Sequence, residues 1–214
     1  MSALRAMLIV GMTGLAIPAL AQSAVPTLVP GSTYHYDSIS PDFENSSFFL
    51  LYLGSVGHWN VYMRRSSYGD TDYYAEPVYG LDYVDCAGQL VTSPEDLASD
   101  LKNLATLPEG DVMNRAAGTE TVRQIGPVEY TTSFFPGQTF AAQKIVITYE
   151  EEGESFDTGF TYTTDGGVGL EIDWGEGDKD VLTSFSIAAT PAPPLSRQRV
   201  MELCPVLIDY YSDD

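Results

Sequence analysis

The stretch that decides the fold is Val168-Gly169-Leu170-Glu171-Ile172-Asp173-Trp174, in which larger apolar residues alternate with small or acidic ones. Successive side chains of an extended strand point to opposite faces, so this pattern predicts one apolar and one polar face. The preceding Asp165-Gly166-Gly167 is typical of a hairpin turn, because glycine adopts a positive φ without strain. Residues 156–162 alternate in the same way before the turn. The segment therefore predicts neighbouring antiparallel strands.

The same period of two extends in both directions from this hairpin. It predicts further strands near 128–134, 145–149 and 181–187, and earlier ones near 34–36, 48–53, 59–64 and 79–84. We expect two antiparallel meanders, at about 31–86 and 119–188.

The period changes between the meanders. Ser93-Pro94-Glu95-Asp96 combines a capping residue, a proline at the first helical position and two acids in the first turn. Leu97, Leu101 and Leu104 follow at helical spacing, which predicts a helix from about 94 to 107. Ser196 predicts the start of a second, short helix near the C-terminus.

These elements predict a mainly β protein of the β-rich α+β class. We expect an antiparallel β-barrel of about 9–11 strands, open or closed, because wide twisted sheets curl. A β-sandwich is the alternative. The order of elements resembles that of the open-barrel carriers that move lipoproteins or lipids in the bacterial periplasm, although no sequence motif is shared.

Residues 1–21 have the three parts of a secretory signal peptide. Arg5 is the positive charge, an apolar run extends from Ala6 to Ile17, and Ala19-Leu20-Ala21 precedes the cleavage site. The run is shorter than the roughly 20 residues that span a bilayer. We therefore expect an exported protein, periplasmic or secreted, without stable membrane insertion, whose single β-rich domain covers residues 22–214.

The chain is strongly acidic, with 10 basic and 30 acidic residues among 214 and a formal net charge of −20. Nucleic acids are not expected as partners and anionic membranes are poor ones, since both require a basic surface. The acidity indicates either a solvated surface or a surface for a basic partner. Cys86 and Cys204 are expected to form a disulfide in an oxidising compartment; free thiols and an intermolecular bond are the alternatives.

The sequence contains few groups for catalysis or metal binding. Two histidines, His35 and His58, and two cysteines expected to pair are too few for a zinc site. No phosphate-binding loop is present, and with 30 acids no carboxylate pair can be singled out. We therefore expect no catalytic residues, no metal and no cofactor.

Aromatic residues are the remaining signal. Those expected to point inward, as core residues or as the wall of a ligand cavity, are Tyr34, Tyr36, Trp59, Tyr79, Tyr83, Phe160, Tyr162 and Trp174. They favour a non-enzymatic exported protein that binds a hydrophobic small molecule or lipid-like ligand in a barrel cavity. The alternatives are a structural or protein-interaction module of the envelope or extracellular space that acts through its acidic surface, and a hydrolase whose acids remain unidentified.

Overall fold

The computed structural model of the protein describes residues 25–77, 81–90, 92–115, 120–151, 154–164 and 167–211. The signal peptide predicted for residues 1–21 lies outside the described residues, as does Tyr79 of the predicted ligand-binding set.

The described residues form one sheet of eleven antiparallel strands. The strands are β1 (Thr33–Ile39), β2 (Ser46–Val56), β3 (Trp59–Ser66), β4 (Thr71–Pro77), β5 (Val84–Asp85), β6 (Val112–Asn114), β7 (Thr121–Tyr130), β8 (Phe140–Glu151), β9 (Glu154–Thr163), β10 (Gly169–Gly175) and β11 (Asp178–Ser186). The predicted fold class, a mainly antiparallel β protein with few helices, is confirmed.

The strand order is β5-β4-β3-β2-β1-β11-β10-β9-β8-β7-β6. Each half is a meander, and pairing of β1 with β11 joins the halves, with Tyr34 opposite Phe185. Within the described part of the chain β5 and β6 are edge strands that do not pair with each other. The sheet is therefore open, and neither the closed barrel nor the two-sheet sandwich is formed.

The sheet is nevertheless strongly curled. Tyr74 of β4 and Phe160 of β9 line the same cavity, although six inter-strand steps separate these two strands. Neighbouring strands are about 4.8 Å apart, so a flat sheet would hold them about 29 Å apart. We call the face that carries Tyr74 and Phe160 the inner face, and the opposite face the outer face.

The helices occupy the predicted positions. Helix α1 (Pro94–Thr106) begins at the predicted cap, where the Ser93 hydroxyl accepts a hydrogen bond of 3.1 Å from the Asp96 amide. Helix α2 (Arg197–Leu203) is capped by Ser196 and is followed by a 3-10 helix (Pro205–Tyr210). These capped segments confirm that the change from period two to helical spacing marks a real boundary.

Helix α1 connects apolar clusters on the two faces of the sheet. Leu97 packs in a cluster with Trp59 and Val61, which lie on the outer face because they alternate with the inner Tyr62 of β3. Leu104, two turns later, packs with Ile145, whose partner across the ladder is Phe160 of the inner face. The helix thus passes from the outer face of the first meander to the inner face of the second.

The predicted disulfide is confirmed. Cys86, directly after β5, is bonded to Cys204 at the end of α2, and the two cysteines are 118 positions apart in the chain. Both are buried in the outer-face cluster, beside Val200 of α2 and Leu207 of the 3-10 helix. The bond therefore fastens the C-terminal helices over the outer face of the first meander.

One arginine joins the two edges of the sheet. Arg115 follows edge strand β6. Its guanidinium Nη2 atom is 2.9 Å from Oδ2 of Asp82, which lies just ahead of edge strand β5. Its Nε is 3.3 Å from Oδ2 of Asp100 on α1, and its Nη1 contacts Oε2 of Glu120. A flat sheet would place these edges about 48 Å apart. The side chains of Arg115 and Asp100 are only 5% and 1% exposed, so this edge cluster is a buried ion-pair network.

We expect removal of the disulfide to destabilise the protein. A crosslink that closes a loop of this length restricts the unfolded chain, and its loss typically costs about 2–5 kcal/mol. Urea unfolding of the Cys86→Ser/Cys204→Ser double variant should show that decrease, and reduced wild-type protein should match the variant. An unchanged free energy of unfolding in both would contradict the expectation.

We also expect Arg115→Met to lower the free energy of unfolding by about 3–5 kcal/mol, because buried carboxylates lose their counter-ion. The control is Arg199→Met, which removes an exposed pair with Glu202 on α2 and should leave the urea midpoint within error. Similar effects of the two substitutions would show that the edge cluster does not hold the curled sheet together.

Candidate ligand-binding site

The inner face encloses a cavity of about 510 Å³. Six aromatic side chains form much of its wall: Phe48, Tyr74, Tyr83, Tyr149, Phe160 and Trp174. Six charged side chains also line it: Arg64, Glu76, Asp82, Arg115, Glu120 and Asp180. The two sets mix apolar surface with ionic groups, which is the composition of a site for an amphipathic molecule.

The structure brings three of the predicted ligand-binding residues together at this cavity: Tyr83, Phe160 and Trp174. Tyr83 and Trp174 are 54% and 51% exposed, so both are accessible from solvent. The rings of Phe160 and Trp174 meet edge to face, with centroids 6.4 Å apart. Phe160 and Trp174 lie on strands where alternation predicts them. Tyr83 lies just before β5, so within the described residues the strand expected near 79–84 includes only Val84 of that range.

The other predicted residues lie elsewhere. Tyr34, Tyr36 and Tyr162 are buried in core clusters and are not among the cavity-lining residues. Trp59 is a fully buried core residue, but it packs in the outer-face cluster beneath the C-terminal helices and does not line the cavity. Strand β3 is buried on both faces, so the inner face cannot be identified from its alternation.

Tyr74 and Glu76 line the cavity but were not predicted from the sequence. Strand β4 has the sequence Thr-Asp-Tyr-Tyr-Ala-Glu-Pro, which shows no clean alternation of apolar and polar residues. The available signal was the Tyr73-Tyr74 doublet, since aromatic residues favour strands. Which of the two tyrosines points to the inner face follows only from the pairing with β3, where Tyr74 lies opposite Tyr62.

Tyrosine rings in contact form a continuous wall beside the cavity; Tyr62, Tyr74 and Tyr83 stack in sequence, and Tyr52 is tilted against Tyr62. Ring centroids are 5.3 Å apart for Tyr52 and Tyr62, 5.2 Å for Tyr62 and Tyr74, and 5.0 Å for Tyr74 and Tyr83. Burial, and next the negative charge of Glu76, raise the pKa of the Tyr62 and Tyr74 phenols. These hydroxyl groups therefore stay protonated at neutral pH, and the wall offers rings and hydroxyls but no phenolate.

Both cations of the cavity already have carboxylate partners. The Arg64 guanidinium donates two hydrogen bonds to the Asp72 carboxylate, from Nε to Oδ1 at 3.1 Å and from Nη2 to Oδ2 at 2.5 Å. Its central carbon lies 5.7 Å from the centroid of the Tyr74 ring. Arg115 is held in the edge cluster. The guanidinium groups thus act first as structural partners of the protein's own acids.

Two acids of the cavity have different surroundings. Asp180 accepts hydrogen bonds from Trp174 Nε1 at 3.0 Å and from Ser38 Oγ at 2.5 Å. Burial raises the pKa of Glu76 from its ordinary 4.5 to about 7. Among the described residues, no side chain forms an ion pair with Glu76. A carboxylate without a counter-ion therefore lies in the wall of the cavity.

The described ranges contain no group of three or more histidine, cysteine, aspartate or glutamate residues arranged to hold a metal ion. In the same ranges, no helix combines the length and the apolar character needed to cross a membrane.

No protein-family model matches the sequence, and no curated protein sequence matches it either. Among solved structures, the chain is similar to MucB in complex with MucA(peri), with 12% identity and a TM-score of 0.39; the match covers 75% of this chain and 51% of that chain. The chain thus spans about half the length of that MucB structure.

Two smaller proteins are also similar. One is the hypothetical lipoprotein YmcC from Escherichia coli K12, with 12% identity, a TM-score of 0.41, and coverage of 79% of this chain and 92% of that chain. The other is a protein with a YmcC-like fold from Bacteroides fragilis, with 10% identity, a TM-score of 0.37, and coverage of 75% and 97%. At these identities and TM-scores, no property of those proteins passes to this chain.

We expect Glu76→Gln to stabilise the protein increasingly as the pH rises. Folded Glu76 keeps its proton up to a pH of about 7, whereas the unfolded chain releases it near 4.5. Raising the pH between these values therefore favours unfolding of the wild type, by about 3 kcal/mol at most. The variant lacks this penalty, so its advantage should grow from pH 4.5 to 7 and then level off.

The measurement is the difference in free energy of unfolding between variant and wild type at pH 4.5, 6, 7 and 8. Glu129→Gln is the matched control, since Glu129 is exposed on β7. A pH-independent difference for Glu76→Gln, equal to that of the control, would contradict the raised pKa.

Proposed function

We propose that this protein is exported and binds a small amphipathic ligand, whose apolar part lies in the inner-face cavity. The cavity itself carries the proposal. Its volume of about 510 Å³ falls within the range of roughly 300–1,000 Å³ typical of small-molecule sites. Six aromatic side chains line it, and aromatic rings supply large apolar contact areas at low cost in conformational entropy.

Export is supported by two independent features. Residues 1–21 have the composition and order of a signal peptide. The bond between Cys86 and Cys204 is of the kind that persists in oxidising compartments outside the cytosol. We accordingly propose a periplasmic or secreted protein whose single β-rich domain begins near residue 22.

Binding without catalysis is supported by the composition of the cavity wall. Neither His35 nor His58 is among the residues that line it, so no imidazole lies ready to act as a base there. The two guanidinium groups are engaged by acids of the protein. What remains accessible is apolar surface with a carboxylate beside it, which favours recognition over bond cleavage.

The second candidate is a hydrolase, and Glu76 is the observation that favours it. A carboxyl group with a pKa near 7 can act as a general acid at neutral pH. A panel of chromogenic glycosides and esters tests this function: turnover that disappears in Glu76→Gln would support the hydrolase and oppose a purely binding role.

We expect the uncharged fluorescent probe N-phenyl-1-naphthylamine to bind the processed protein with a stoichiometry of one. Trp174→Ala should weaken binding about fivefold, because an aromatic contact contributes on the order of 1 kcal/mol. Phe134→Ala is the control, since Phe134 is an exposed aromatic residue outside the cavity. A wild-type protein that takes up no probe and shows only its apo mass in native mass spectrometry would oppose the proposed function.

A further inference from the structure

The charges that line the cavity do not balance. Four carboxylates and two guanidinium groups face it. Both guanidinium groups are already bound, Arg64 by Asp72 and Arg115 by the carboxylates of the edge cluster. Glu76 and Asp180 form no ion pair with any residue that the structure describes. Above a pH of about 7, where Glu76 is ionised, the cavity therefore contains negative charge that its own cations leave unneutralised.

Aromatic faces surround this charge. The faces of aromatic rings carry negative potential and attract cations within about 6 Å of the centroid. One cation already uses this attraction, since the Arg64 guanidinium lies 5.7 Å from the centroid of Tyr74. Tyr83 stacks on Tyr74 and lines the same space as Glu76. Rings beside an unneutralised carboxylate are the combination that recognises organic ammonium groups.

We propose that the cavity selects a lipophilic ammonium ion, whose charged group lies beside Glu76 and whose apolar body contacts Phe160 and Trp174. This inference rests on the proposed function, because it names the chemical class of the ligand. The ammonium group forms the ion pair that Glu76 lacks. The apolar body covers the accessible rings at the mouth of the cavity.

Other head groups fit the site less well. An anionic head would meet four carboxylates, and the guanidinium groups that could bind it are held by Asp72 and the edge cluster. A neutral head would shield Glu76 from water without neutralising it, and an unpaired buried charge is costly. Selection among ligands of equal length should therefore follow the charge of the head group.

The net charge of the protein and the volume of its cavity also favour a small cationic ligand. A formal net charge of −20 attracts cations and repels anions over distances longer than direct contact. The cavity volume of about 510 Å³ suits one small molecule rather than a folded partner. The ligand class is thus a small amphipathic cation with an alkyl or aryl body.

The test compares three probes that share a ten-carbon chain: decylammonium, 1-decanol and decanoate. Each competes with N-phenyl-1-naphthylamine for the processed wild-type protein at pH 8, below micellar concentrations and in 150 mM NaCl, where surface charges are screened beyond about 8 Å. We expect decylammonium to bind at least about tenfold more tightly than decanol, and decanoate to bind most weakly.

Variants locate the selecting group. In Glu76→Gln the preference for decylammonium over decanol should fall to about twofold. Decylammonium loses its ion pair, and decanol should bind at least as tightly as it binds the wild type, which shows that the cavity is intact. The control Glu129→Gln removes an equal charge from the exposed side of β7 and should keep the full preference.

The outcomes separate the two proposals. Equal affinities of decylammonium and decanol for the wild type would overturn selection of a cation and leave the proposed function standing. A preference that survives Glu76→Gln would show adsorption of the cation to the acidic surface and would also overturn the inference. Failure of every probe to bind would overturn the proposed function itself.

Discussion

The contact on which the rest of the structure depends is the one between Arg115 and Asp82. It joins residues beside β5 and β6, which are the opposite edges of an eleven-stranded sheet. Nη2 of Arg115 is 2.9 Å from Oδ2 of Asp82. No backbone pairing between these strands closes the described sheet, so side chains do the joining. Asp100 adds α1 to the same contact and Glu120 completes the cluster. A sheet of this width must curl for such a contact to form, and curling creates the enclosed space on its inner face.

The cavity and the edge cluster are therefore parts of one arrangement. Asp82, Glu120 and Arg115 belong to both, since they line the cavity while they hold the edges together. Because Arg115 already forms ion pairs with the acids of the edge cluster, it does not neutralise Glu76. The ionic character of the cavity is thus a by-product of how the sheet is held. This link explains why an acidic, aromatic space arises without any recognisable ligand-binding motif in the sequence.

Local patterns predicted much of the fold but only part of the site. Alternation predicts strands because its period matches the pleat, and the cap at Ser93 predicts α1 because capping is a local interaction. Phe160 and Trp174 lie on strands that alternation predicts, whereas Tyr83 reaches the cavity from the segment before β5. Tyr74 was not, because which strands meet across the cavity depends on curling. Curling depends in turn on a contact between positions 33 residues apart, and no local pattern records such a contact.

The lengths of the edge strands have a further consequence for how the molecule behaves in a crowded compartment. β5 has two residues and β6 has three, against seven or more in every other described strand. An edge strand exposes unpaired amides and carbonyls that a second chain can extend into an intermolecular sheet. β5 pairs only with Tyr74 and Ala75 of β4, and β6 pairs only with residues 121–123 of β7, so most of the remaining residues of these longer strands are edges as well. The net charge of −20 opposes the approach of a second copy to these edges. Repulsion between like-charged copies, rather than the shortness of β5 and β6, is therefore the feature of this chain that opposes growth of an intermolecular sheet.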